Sequence, residues 1–203
     1  MSETRPVQRR KPTQERARET REHILDTAAQ LFAERGIADT STNRIAARAN
    51  MSIGTLYRYF TDKHEIVEIL RARLLAELEE CFTAAVLGGL GLSPRDSVAT
   101  SLRAIVAVLA NQEPLVRALT AEATVAGAGF GGLERRLLLL TRAYLLQQLG
   151  PLPDDELDTR AFVMVNAGLA AALRIGLKPP PGLDRDRLID ETADMIGGWL
   201  RPS

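Results

Sequence analysis

Cysteine is nearly absent from this chain: Cys81 is the single one in 203 residues. An intrachain disulfide is therefore excluded, and a thiol with no partner at metal-ligand spacing gives no basis for a metal site. A reducing cytoplasm is the expected location. Histidine is scarce too, and the 2 present, His23 and His64, lie too far apart in sequence to suggest a catalytic triad or a metal cluster. Long apolar runs are missing. The longest, Ala161 to Leu173, is interrupted by Asn166 and is shorter than the roughly 20 residues a membrane helix needs. The first residues are polar and basic where a secretory signal would carry an apolar segment and a cleavage site, so export is not expected. No stretch alternates apolar and polar residues as a half-buried strand does, and no repeat of fixed period occurs. The expected fold class is all-α.

Net charge is absent as well, with 26 basic and 26 acidic residues, but the balance hides two unlike halves. Residues 1–63 carry 12 Lys and Arg against 8 Asp and Glu, whereas residues 64–203 carry 14 against 18. A basic head on an acidic body suits a polyanion as partner of the head. A solvated tail explains the same surplus, since much of it lies in Arg5, Arg9, Arg10, Lys11, Arg16, Arg18 and Arg21.

What is present is helical periodicity broken by caps and turns. Residues 1–14, with Pro6 and Pro12, read as a disordered basic arm. From Glu15 to Arg35 the residues Ile24, Leu25, Ala28, Ala29 and Phe32 recur at helical steps, and Gly36 ends that helix by accepting a left-handed conformation. A short helix is expected from Thr42 to Ala49, capped by Ser41 or Thr40. Asn50 then tolerates positive φ, and Ser52 caps a third helix whose buried edge is Leu56 and Phe60. A long fourth helix opens with Asp62 and Glu65 as a box-like cap and runs to about Ala85, able to tie head and body together. Further helices are expected from Pro94 to Ala110, Pro114 to Val125, Leu133 to Leu149, the acids of "GPLPDDE" to Ile175, and Asp184 to Leu200. The expected domains are thus 15–61, a helix-turn-helix head, and 62–203, a helical body.

The stretch "STNRIAARANMSIGTLYRYFTDK" carries the chemistry. With Leu56 and Phe60 buried, Gly54, Thr55 and Arg58 face outward and Tyr57 and Tyr59 flank them. A surface helix kept only for solubility would use Glu, Lys and Gln there. Duplex DNA accounts for the choices made: hydroxyls of Thr55, Tyr57 and Tyr59 bond phosphate oxygens, and Arg58 reads a guanine edge. Gly54 lets backbone approach bases, and Ile53 touches a thymine methyl. Thr42 opens the preceding helix beside a phosphate, Asn43 and Arg44 lie within reach of bases or backbone, and Lys63 meets the phosphates of a second strand.

The run "TSTNRIAARANMSIGTLYRYFTDKHEIV" resembles the N-terminal DNA-binding segment of the tetracycline-repressor (TetR) family of bacterial transcriptional regulators. The likeness covers about residues 20–67. It implies that Thr42, Asn43, Thr55, Tyr57, Tyr59 and Lys63 contact DNA, and that a homodimer places two heads in successive major grooves. Asn50 stands where the family usually has a turn glycine, and Ile53 where polar residues are frequent. The resemblance also implies a divergent body that dimerises through its last two helices and encloses a small-molecule pocket. Ala167, Gly168, Ala171, Met195, Gly198 and Trp199 are the candidate dimer residues, though ordinary internal packing would use the same small side chains. Phe82, Arg103, Phe130, Tyr144, Met164 and Asn166 are the candidate pocket residues, and the Leu, Val and Ala around them suit a largely apolar effector.

Other readings carry less. Gly127, Gly129 and Gly132 satisfy G-x-G-x-x-G without a strand before them. Asp154, Asp155, Glu156 and Asp158 look like helix-start charges, and no catalytic, metal or cofactor constellation is found. The expected function is a one-component repressor of palindromic operator DNA, released by its effector. An activator, or an effector-independent nucleoid-type DNA binder, is the alternative.

Overall fold

The computed structural model describes the backbone of residues 11–121 and 130–200, and the side chains of residues 14–121 and 132–200. Among the described residues there are nine helices and no strand, so the chain is all-α. They are α1 (Lys11–Arg35), α2 (Thr42–Arg48), α3 (Ile53–Tyr57), α4 (Lys63–Gly88), α5 (Pro94–Asn111), α6 (Glu113–Ala121), α7 (Phe130–Leu149), α8 (Asp154–Leu177) and α9 (Arg185–Trp199). Two compact units divide between Leu70 and Arg71, within α4. Ile66, Val67 and Leu70 complete the core of the first unit, so it extends past the end expected at residue 61.

In the first unit α1 begins at Lys11, four residues inside the stretch expected to be a disordered arm; Pro12 is tolerated because the first turn has no N–H acceptor to lose. Residues 1–10 lie outside the described residues. Ile24, Leu25, Ala28, Leu31 and Phe32 form the buried stripe of α1, and Gly36 follows it at φ 82°. Ser41 rather than Thr40 caps α2, its Oγ accepting from the Arg44 N–H at 3.3 Å. Thr40 turns inward and donates to the Gly36 carbonyl at 2.8 Å. Asn50, at φ 55°, is the one non-glycine residue with positive φ among those described. It gives the chain the left-handed step that joins α2 to the Ser52 cap of α3, where the Thr55 N–H reaches Ser52 Oγ at 3.1 Å.

The third helix is shorter than expected, ending at Tyr57. Phe60 is still buried, because its N–H bonds the Leu56 carbonyl at 3.1 Å and so keeps one helical turn of spacing beyond the helix end. The cap of α4 is reciprocal: the Glu65 N–H meets Asp62 Oδ1 at 2.9 Å, and Glu65 Oε2 accepts the Thr61 N–H at 2.7 Å.

In the second unit α5 packs against both α8 and α9, and α7 packs on α8. Close approach of α5 and α9 needs Gly197, where a Cβ would stand 2.7 Å from Arg95 Cα. Arg95 then bridges to Asp190 at 3.1 Å and Asp194 at 3.0 Å on α9. Ser93 and Asp184 cap α5 and α9 as expected. By length and composition α8 is apolar enough to cross a membrane, which the interrupted run from Ala161 to Leu173 did not suggest. Here its buried residues Leu157, Ala161, Val165, Ala172 and Ile175 pack within the bundle. The expected end of the sixth helix at Val125, with Gly127 and Gly129, falls outside the described residues.

Candidate functional site

The polar face of the head is built on two capped helices whose hydroxyls are wired together. Thr42 Oγ1, at the start of α2, lies 3.2 Å from the Tyr57 hydroxyl at the end of α3. Ser52 Oγ lies 2.9 Å from Thr55 Oγ1. All four hydroxyl oxygens keep spare lone pairs; the Thr42–Tyr57 pair ties α3 to α2, and the Ser52–Thr55 pair closes the cap of α3. Tyr57 is 52% exposed, so its ring and hydroxyl both lie on this face.

Around this pair, Asn43, Gly54 and Arg58 are exposed and Ile53, Thr55 and Tyr59 half-buried. Arg58 follows the last helical residue of α3 rather than standing within the helix, as the C-cap. A Cβ at Gly54 would meet nothing closer than Ser52 Oγ at 3.8 Å, so nothing inside the protein requires glycine there. Its bareness leaves the backbone open to close approach from outside. Arg44 spends one guanidinium donor on the Asp39 carbonyl at 2.6 Å and keeps the others. Lys63 is less free than its sequence position suggests, because its Nζ donates to the Ile37 carbonyl at 2.6 Å. It therefore ties the start of α4 to the loop after α1 and has two remaining protons to offer. Two supports escaped the sequence reading: the Arg21 guanidinium sits 5.2 Å over the Phe60 ring, and His23 Nε2 lies 3.3 Å from the Ala49 carbonyl. The Thr61 N–H and hydroxyl hold the Glu65 carboxyl below its ordinary range, which keeps the α4 cap ionised.

In the second unit a partly enclosed cavity of about 60 Å³ opens between α4, α5, α7, α8 and α9. A single water needs roughly 10–15 Å³ on this measure, so the enclosed part has room for a few waters, and a larger molecule must extend into its open mouth. Phe82, Tyr144 and Met164 line it, together with Ser97, Ser101, Thr141 and Gly168 and an apolar remainder. The cavity exists because α5 presents Ser97 and Ser101, four residues apart, and α8 presents Gly168, where larger side chains would have filled it. That hydroxyl pair on the inner face of α5 is the signal the sequence reading passed over. Tyr144 is 4% exposed and, among the described residues, its hydroxyl has no hydrogen-bond partner. Ser97 is close enough to lower the phenol slightly, but its own proton goes to the Gly89 carbonyl at 2.8 Å and no bond of normal geometry joins its oxygen to the Tyr144 hydroxyl. Burial pushes the Tyr144 phenol above its ordinary value, so it stays protonated at neutral pH. An unmade bond at such a site costs about 1–3 kcal/mol.

Two expected pocket residues are elsewhere. Arg103 is drawn to the surface by Asp190, 2.6 Å away. Asn166 is exposed on α8, where its amide donates to the Phe162 carbonyl at 2.9 Å instead of facing the interior. The side chain of Phe130 lies outside the described residues. Of the expected dimer residues, Gly168 turns to the cavity, and Ala167 and Ala171 are half-buried. Met195, Gly198 and Trp199 are exposed on α9. Phe162, Val163 and Leu173 on α8 join them as exposed apolar groups, and Arg160 lies 5.5 Å over the Trp199 ring.

Residues 24–70 match the family model described as bacterial regulatory proteins, tetR family. The HTH-type transcriptional regulator AcrR of Shigella flexneri is 43% identical over 54 residues, 27% of this chain and 25% of that protein. The chain spans a quarter to a half of the length of the curated relatives it matches first. A TetR-like transcriptional regulator from Rhodococcus sp. RHA1 is 26% identical with a TM-score of 0.63, over 87% of this chain and 93% of that one. A TetR-family transcriptional regulator from Streptomyces coelicolor is 27% identical with a TM-score of 0.62, over 90% and 95% of the two chains.

Proposed function

Because this chain is a DNA-binding transcription regulator of the TetR family, we propose that it acts in the cytoplasm as a one-component repressor whose homodimer binds a palindromic operator. A small, largely apolar effector releases it. The observation that carries the reading is the wired hydroxyl face of α2 and α3, with Arg58 and Asn43 beside it. Among the described residues neither Asn43 nor Arg58 has a side-chain hydrogen bond or ion pair, and both are exposed, so their donors are open to an incoming partner.

Division of labour follows from chemistry. Thr42, Thr55, Tyr57, Tyr59, Arg44 and Lys63 bond phosphate and set the register, whereas Arg58, Asn43 and Ile53 face base edges across the bare backbone of Gly54. A single reading element of five residues is short, so two copies on half-sites roughly 34 Å apart supply the affinity that one lacks. The face of α8 and α9 bearing Phe162, Leu173, Met195 and Trp199 is the dimer seam, with a second copy covering the same apolar groups. Phe82 and Val86 of α4 line the cavity, and α4 also carries Lys63. An occupant therefore bears on a helix that belongs to both units, and shifts the population toward a head spacing that fits the operator poorly.

Fluorescence anisotropy with the duplex upstream of its own coding sequence tests this, beside sedimentation of the free protein. A dimer that binds with a steep salt dependence and loses affinity for a scrambled palindrome supports the proposal. A monomer that ignores the duplex at low ionic strength, or a dimer indifferent to sequence, overturns it.

A further inference from the structure

We infer that the body cavity takes a neutral, compact, apolar molecule bearing one hydrogen-bond-accepting oxygen, and that Tyr144 supplies the proton that receives it. The inference rests on the effector-binding role given to the body above and adds the chemical class of the ligand.

Three features of the wall support it. Among the described residues no charged side chain lines the cavity, and the polar members are hydroxyls: Ser97, Ser101, Thr141 and Tyr144. A carboxylate or ammonium entering there would lose its hydration with no counter-charge, so ionised molecules are selected against. Most of the lining is aliphatic or aromatic, Phe82, Leu102, Ile105, Met164 and Ile196 among it, which favours an apolar frame.

The third feature is the buried Tyr144 hydroxyl itself. Buried polar groups in folded proteins nearly always have partners, and an exception beside a cavity marks where a ligand atom is expected. Burial keeps the phenol protonated, so it presents a donor, and the complementary group is an acceptor such as a ketone, ester or ether oxygen. A site built around such a bond discriminates against the isostere that lacks it.

Calorimetry on the full-length protein without DNA tests the inference with three probes of matched shape: acetophenone, cumene and benzoate. Acetophenone is expected to bind about three- to tenfold more tightly than cumene, and benzoate at least about a hundredfold more weakly than acetophenone. Tyr144→Phe is expected to bring acetophenone down to the level of cumene while leaving cumene unchanged. Gly168→Leu, at a position where an added Cβ meets no atom within 4 Å, is expected to abolish binding of both by filling the cavity. Equal binding of acetophenone and cumene, a preference for benzoate, insensitivity to Tyr144→Phe, or no binding by any probe up to its solubility would each overturn it. The regulatory reading fails separately, if acetophenone binds through Tyr144 and leaves affinity for the operator duplex unchanged.

Discussion

The head and the body of this chain use the same raw material, capped helices with apolar stripes, toward opposite ends. In the head the polar groups left for a partner face outward into water: Asn43 and Arg58 are exposed, and the hydroxyls of Thr42 and Tyr57 bond each other at 3.2 Å on the surface. In the body the unsatisfied group faces inward, the Tyr144 hydroxyl beside an apolar cavity. An exposed face must suit a polyanion common to all such binders, so few residue types serve. A cavity wall needs only a shape and a hydroxyl, and many side chains from many helices provide that. The difference teaches where each half tolerates change, and substitutions chosen to act on one half alone will sharpen or break it.

The largest effect is expected from emptying the head core. Phe60 is 1% exposed, and Phe60→Ala should cost about 3–5 kcal/mol. DNA binding disappears, while hydrogen exchange across α5, α8 and α9 stays near that of the parent protein. If those helices lost protection in step with residues 24–70, the two units would not be separable in stability, and head and body would not tolerate change independently.

Next comes a change in the body, away from the DNA face. Gly197→Ala drives a methyl group to 2.7 Å from Arg95 Cα, so α5 and α9 must part. The expected loss is about 1–3 kcal/mol, read as a lower Tm, with the Arg95 bridges to Asp190 and Asp194 strained as well. An unchanged Tm would mean that the α5–α9 contact yields easily, and that the body is more compliant than its packing implies.

On the DNA face itself the effects are smaller and of two kinds. Arg58→Ala should relax discrimination at particular base pairs by about 1–3 kcal/mol, leaving binding to unrelated sequences nearly intact. Tyr57→Phe loses a phosphate bond and the tie to Thr42, which should weaken all duplexes alike by about 0.5–1.5 kcal/mol. Anisotropy titrations on a panel of single-base operator variants separate the two. Should Tyr57→Phe alter the preference among bases, the division between positioning and reading residues would be wrong.

These contrasts also explain how far the sequence could be read. The head was legible because its determinants are local: Ser41, Asn50, Ser52 and Asp62 act within four residues of themselves, so cap, turn and buried edge follow from spacing. Even there, the end of α3 at Tyr57 and the hold of the Ile37 carbonyl on Lys63 were hidden. The first depends on how the chain turns after the helix, the second on a contact 26 residues away in sequence. In the body the helices were legible and the cavity only partly. Phe82, Tyr144 and Met164 stand at its wall, but Arg103 and Asn166 do not, because an acidic neighbour on α9 and a backbone carbonyl one turn back satisfied them on the surface. Which face of a helix turns inward is decided by helices distant in sequence, and no single stretch contains that information.

The smallest effect concerns pH, and it bears on the comparison through the alkaline limb alone. Glu65 in the head is held below its ordinary value by the Thr61 N–H and hydroxyl, so its contribution is present above the unfolded pKa and lost as pH falls through the lower folded one. Asp96 in the body, held down by Ser93 and Arg95, behaves the same way, and the acid limb of a stability profile therefore mixes both units. The alkaline limb does not share this defect. Burial raises the Tyr144 phenol, so its stabilisation is complete below the unfolded value of about 10 and declines as pH rises from there through the folded one. Thermal melts from neutral to alkaline pH should show a steeper loss for the parent chain than for Tyr144→Phe, with equal or slightly higher stability of the variant at neutral pH. A variant as alkali-sensitive as its parent would mean that this hydroxyl is reached by water, and the inward-facing half of the contrast would have to be given up.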